Sequence, residues 1–92
     1  MQIINIDFDK YDKELLELSF MPKQQRDREY LKVAVDELTE IRDGYIKEYG
    51  ITAELLRLEE RILNYAISLK EAEGKDFLAE KKSLEFLMTL KY

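Results

Sequence analysis

Apolar residues recur at alternating steps of three and four through most of the chain, the spacing that gathers them on one side of an α-helix. The most regular stretch covers residues 51–72, where Leu55, Leu58, Ile62, Tyr65, Leu69 and Ala72 form one narrow seam. Leu56, Leu63 and Ile67 form a second, offset stripe. The apolar surface is therefore wider than a two-stranded coiled coil needs and suits a helix packed by more than one neighbour. Leu31, Ala34, Leu38, Ile41 and Tyr45 repeat the same period in the preceding segment. Between the two, Gly50 stands where a left-handed helix-terminating residue belongs, Thr52 where the next helix is capped, and Ile51 where it could staple onto Leu56. So short a connection makes the flanking helices antiparallel neighbours, a hairpin with arms ~35 Å long at about 1.5 Å per residue.

The remaining punctuation predicts two further helices. Asp9 or Asp12 is placed to cap a first helix over about 10–20, with Tyr11, Leu15 and Leu18 on one face. Pro22 interrupts that pattern and suits the first turn of a second helix over 22–49. Inside it, Gly44 costs roughly 1 kcal/mol against alanine and marks a bend or a close approach of helices. Lys32 with Asp36 and Asp43 with Lys47 are spaced to pair on its wet side. Gly74 and Asp76 repeat the stop-and-cap signal and divide a third helix, 52–73, from a fourth, 76–90. An unbroken heptad would set Asp76 and Ser83 on the seam, which favours the division. At the start, Ile4, Ile6 and Phe8 alternate with Asn5, Asp7 and Asp9. Residues 1–9 thus read as an extended arm laid on the helices or a short strand that pairs with another chain. The expected architecture is all-α: one domain over 10–92, a small bundle of three to four helices built on an antiparallel helical hairpin, with that N-terminal arm.

Composition changes the picture in three ways. Three glycines and one proline are too few turn residues for many short strands, and 46% apolar against 38% charged residues is far from the signature of disorder. At 92 residues the core is thin, a size at which a second copy is often recruited. A homodimer is expected through the seams of Leu31, Leu38, Ile41, Tyr45, Leu55, Leu58, Ile62, Tyr65 and Leu69. The net charge of −5 sits mostly near the start, where residues 1–20 carry five acids and two bases against fifteen and thirteen in the rest. With no signal peptide and no run of membrane-spanning length, the expectation is a cytoplasmic protein with no membrane partner.

The chain has no histidine, cysteine or tryptophan. That removes the usual base near neutral pH, the thiolate nucleophile and the commonest transition-metal ligands; no enzyme, cofactor or metal is expected. Residues 3–9, IINIDFD, resemble the strand-end Asp-x-Asp of haloacid dehalogenase-type phosphotransferases, which implies an aspartyl nucleophile. Such sites stand on a large α/β core that this chain is too short to build. Asp7, Asp9 and Asp12 lack the glycine and the closing glutamate of a calcium loop. Glu37 and Glu40, with Glu73 and Asp76, resemble the paired acids of all-α nucleotide pyrophosphohydrolases, which implies magnesium held between helices; here Glu73 and Asp76 straddle the break at Gly74. Lys23, Arg26 and Arg28 form the only basic patch, interrupted by Asp27 and Glu29, so nucleic acid is not an expected partner.

Six tyrosines carry more information. Tyr45 and Tyr65 fall on seams, while Tyr11, Tyr30, Tyr49 and Tyr92 lie nearer the edges, where tyrosine favours interfaces. The function expected is a non-catalytic protein–protein interaction or regulatory role, with Asp7, Asp9, Asp12, Tyr11, Tyr30 and Tyr49 meeting a protein partner. An alternative is a stoichiometric inhibitor of the phage or mobile-element kind, whose Asp7, Asp9, Asp12, Glu14 and Glu17 cover the basic surface of a nucleic-acid-binding protein. A magnesium-dependent nucleotide pyrophosphohydrolase is the enzyme alternative.

Overall fold

The computed structural model describes residues 6–91 and is all-helical there, in the order α1 (Phe8–Phe20), a 3-10 turn (Lys23–Gln25), α2 (Arg28–Tyr49), α3 (Ala53–Glu73) and α4 (Leu78–Lys91). Of the N-terminal arm, residues 1–5 and with them Ile4 lie outside the described residues, as does Tyr92. Phe8 and Asp9, assigned to the arm from the sequence, belong instead to the first turn of α1. Ile6 and Phe8 pack against the core.

Asp7, and neither Asp9 nor Asp12, caps α1: its Oδ1 accepts from the Lys10 amide at 3.1 Å. Asp9 follows in the first turn, where its charge meets the positive end of the helix. The second helix does not start at Pro22. Asp27 is the cap, its Oδ1 accepting from the Tyr30 amide at 3.1 Å. Arg26 just before it stays extended, with ψ 137°, and in that conformation its side chain reaches α3.

At Gly50 the chain turns with φ 71° and ψ −155°, a backbone region that is essentially glycine's alone. Thr52 caps α3, its Oγ1 accepting from the Leu55 amide at 3.2 Å and lying 2.9 Å from the Tyr45 hydroxyl. Ile51 does not staple onto Leu56, since it is 80% exposed. Gly74 is left-handed, with φ 70° and ψ 23°, and the Lys75 amide closes back on the Lys70 carbonyl at 2.8 Å, so α3 ends in a Schellman turn. Asp76 then accepts from the Leu78 amide at 3.0 Å and opens α4. Gly44 marks neither a bend nor a close approach: α2 runs through it, and a Cβ there would meet nothing within 4 Å. The spaced pairs on α2 do not form either; Asp43 sits 3.2 Å from Arg42, and Arg42 also reaches Glu59 of α3 at 3.1 Å.

α3 is the axis of the bundle. It comes within 8 Å, Cα to Cα, of α1, α2, α4 and the 3-10 turn, and no other two elements approach that closely among the described residues. Its two stripes explain this. Leu58, Ile62 and Tyr65 face Leu31 and Leu38 of α2 and Leu18 of α1 in one buried cluster, while Leu63 lies beside Leu87 of α4. Leu31, Leu38, Leu58 and Tyr65 are all but completely buried, and each leucine there stabilises the fold by about 1.5–3 kcal/mol relative to exposure. Leu55 and Tyr45 are also buried, and Ile41 and Leu69 pack on the cluster. The seam positions assigned from the sequence to a second copy are thus closed within one chain, because α1 supplies the third wall that the hairpin lacked.

Leu58→Ala should lower the unfolding free energy by about 2–5 kcal/mol. Gly44→Ala, at an exposed interior position of α2 with open space for the methyl group, should raise it by about 1 kcal/mol. Urea denaturation of the two variants checks both.

Candidate partner-binding surface

Two buried arginines hold the short elements onto α3. The Arg61 guanidinium meets Asp12 of α1 through Nε and Nη2, both at 3.0 Å, and Nη1 donates to the Arg57 carbonyl at 3.1 Å. Paired parallel bonds of this kind fix geometry as well as supplying energy. The ring of Phe8 lies 4.8 Å from the Arg57 and 4.9 Å from the Arg61 guanidinium carbon, so the start of α1 is held by cation–π contacts too. At the other end, Arg26 is buried and its Nη1 donates to the Ser68 carbonyl at 3.1 Å, with Glu71 Oε1 at 3.5 Å. Lys23 lies 3.6 Å from the other oxygen of Glu71. The basic patch read from the sequence is therefore largely committed to the chain's own α3.

With the ends of α1 and α2 fixed in this way, a hollow of about 260 Å³ opens between them. Leu18, Met21 and Tyr30 give it apolar surface, and Glu14, Glu17 and Asp27 give it negative charge. Glu14 holds the centre. The hydroxyl of the fully buried Tyr65 donates to its Oε1 at 2.7 Å, which supplies the partner a buried phenol requires. Tyr30 lines the same hollow as this carboxylate. Tyr11 completes the aromatic group, standing edge-on to Tyr65 at 6.3 Å and 87°. The hydrogen bond to Glu14, then burial and the charge of Glu14, push the Tyr30 phenol up to about 12. Burial, followed by the bond to Glu14, raises Tyr65 further.

The residues assigned from the sequence to a partner are divided by this arrangement. Tyr30 reaches the hollow, but Asp7 is a cap, Asp12 is paired to Arg61 and Tyr11 packs on Tyr65. Tyr49 lies against Tyr45 at 4.9 Å, at the far end of α2. Asp9 is exposed and makes no hydrogen bond or ion pair among the described residues, and the same holds for Glu17. Of the acids compared with a pyrophosphohydrolase, Glu37 and Glu40 are exposed on α2, Glu73 lies 3.5 Å from Lys75, and Asp76 serves α4. No three carboxylates come together to hold a metal ion among the described residues. No described helix is long and apolar enough to cross a membrane. A scan against protein-family models finds no match, and neither does comparison with curated proteins or with solved structures.

Arg26 and Arg61 were not legible as organising residues. Arg61 offers one signal: it precedes Ile62 on a helix whose neighbouring seam is apolar, a position half turned toward the core. Arg26 offers none before its distant partner Ser68 is known.

The tyrosines give a pH test. Their folded-state values lie above the unfolded value near 10, so between pH 10 and about 12 the unfolded chain releases protons that the folded one retains. Stability is then fully present below pH 10 and falls as pH rises through that window. Tyrosinate absorbance should show two of the tyrosines titrating late, and Glu14→Gln should bring both back toward their ordinary value.

Proposed function

We propose that the protein is a non-catalytic interaction protein that docks a protein partner through the hollow between α1 and the start of α2, taking up a lysine or arginine side chain. The observation that carries this is an apolar recess surrounded by carboxylates, one of which, Glu17, has no cation of its own. A long basic side chain has the same division: an aliphatic stem that suits Leu18 and Met21, and a charged head that suits Glu17, Asp27 and the face of Tyr30. About 260 Å³ is below the range of small-molecule pockets, roughly 300–1,000 Å³, and suits one side chain of a larger partner. Leu16 and Phe20 lie one turn apart on a different face of α1, Phe20 at 82% exposure, and are separate from the hollow.

The inhibitor alternative rests on long-range charge, and the structure bears on its strength. Of its five carboxylates, Asp7, Asp12 and Glu14 are engaged within the fold, which leaves Asp9 and Glu17 to act outward. The two proposals differ in what they need from the partner: a single seated side chain with apolar neighbours, or a broad positive field.

Synthetic helical peptides presenting one arginine beside leucines serve as the probe, with NMR shifts as the readout. Seating in the hollow predicts shifts concentrated at Leu18, Met21 and Tyr30, binding several-fold weaker in Glu17→Gln and in Met21→Ser, and modest dependence on salt. Binding that collapses between low and physiological salt and follows Asp9→Asn instead supports the field-driven inhibitor. Shifts scattered over the surface would remove the hollow as the docking site.

A further inference from the structure

Among its described side chains α4 contributes no buried residue to the fold, yet it is rich in apolar side chains. One side faces α3: Phe77, Leu84 and Leu87 are partly covered, and Lys70 of α3 meets Glu80 in an ion pair. A different side carries Ala79, Ser83, Phe86 and Leu90, all exposed, at steps of four, three and four. These are the steps of a helix–helix seam, and the fold leaves it without a partner.

The order of residue sizes within this seam identifies what fits it. If a second α4 is laid antiparallel about a two-fold axis midway along the stripe, Ala79 faces Leu90 of the other copy and Ser83 faces Phe86. Every layer then sets a small residue against a large one, as interdigitating helices require, and the same patch serves both chains, as a two-fold contact demands. In that register the nearest cross-chain neighbour of Lys82 is Thr89 and that of Glu80 is Leu87, so no like charges oppose one another. A parallel pairing would set Phe86 against Phe86 and Ala79 against Ala79, crowded in one layer and empty in another.

An independent feature lies at the same place. A groove of about 490 Å³ runs between α3 and α4, lined by Glu59 and Leu63 on one side and by Lys82, Ser83, Phe86 and Leu87 on the other. Ser83 is the position opposite which the antiparallel register sets the incoming Phe86, so an aromatic ring arriving there finds open space next to apolar side chains. We infer that the protein forms a two-fold dimer by antiparallel pairing of α4, with Phe86 of each copy seated over Ser83 of the other beside the α3–α4 groove. One pair of helices covers less than the ~800 Å² per partner of a standard stable interface, so the dimer dissociates on dilution.

Sedimentation equilibrium over a range of concentrations tests the pairing. The mass should rise from one chain toward two, and Phe86→Glu should hold it at one chain with helical content unchanged, since Phe86 is 63% exposed. Ser83→Phe discriminates fitted packing from general stickiness: it adds apolar surface, yet should also abolish the dimer by filling the space the opposite ring needs. Because the chain has no cysteine, orientation can be read by oxidation of mixed variants. Ala79→Cys and Leu90→Cys chains should cross-link to each other and not to themselves. A single-chain mass throughout, a dimer indifferent to Phe86→Glu, association strengthened by Ser83→Phe, or self-cross-linking of Ala79→Cys would each overturn the inference and leave the stripe to a different partner.

Discussion

The contact between α2 and α3 is the one on which everything else depends. Leu31 and Leu38 on one arm, Leu58 and Tyr65 on the other, are nearly free of solvent, and burial on this scale is the largest favourable contribution available to so short a chain. Gly50 sets the arms side by side with a backbone conformation other residues avoid. Once they are joined, each shorter element has only to dock on a surface that already exists. That is why α1, α4 and the 3-10 turn all lean on α3 and none closely on another.

What docks them is partly polar, and this shapes the outward surface. Arg61 and Arg26 are largely removed from water, a loss that must be offset by well-placed acceptors. Asp12, Glu71 and the Ser68 carbonyl supply these, except at the buried Nε of Arg26, which has no acceptor among the described residues. Glu14 does the same for the hydroxyl of Tyr65. Carboxylates that look alike along the chain thus acquire different roles: those with a partner fix the position of α1, and Glu17 is left as the negative edge of a recess.

The two ends of the chain are held unequally. α1 is fastened by a buried leucine, paired hydrogen bonds and cation–π contacts. α4 rests on α3 through half-covered leucines and an ion pair at its start. A helix with apolar residues on two sides and only one side covered keeps a surface whose burial would still be favourable. The hollow and this stripe lie on different helices, one formed by α1, the 3-10 turn and α2, the other by α4.

Much of the helical framework was legible in the sequence because it is set by local periodicity and by stop signals: the hairpin, the break at Gly74 and the central place of α3 follow from apolar spacing and from glycines whose φ other residues avoid. Helix starts were less so. Asp7, Asp9 and Asp12 can each cap in isolation; Asp12 is taken by Arg61, 49 residues away, and the packing of Phe8 on Arg57 and Arg61 includes it in the helix that Asp7 caps. Pro22 does precede a helical turn, Lys23–Gln25, but that turn ends at the extended Arg26, whose side chain reaches Ser68. The candidate site depended on tertiary structure most of all. Tyr30 could be named as an edge residue, but its juxtaposition with Glu14, Glu17 and Met21 exists only after α1 and α2 have both packed on α3. The seams presented a similar ambiguity: periodicity shows that Leu58, Ile62 and Tyr65 must be covered, and it carries no information on whether the cover comes from a second copy or, as here, from Leu18 of the same chain.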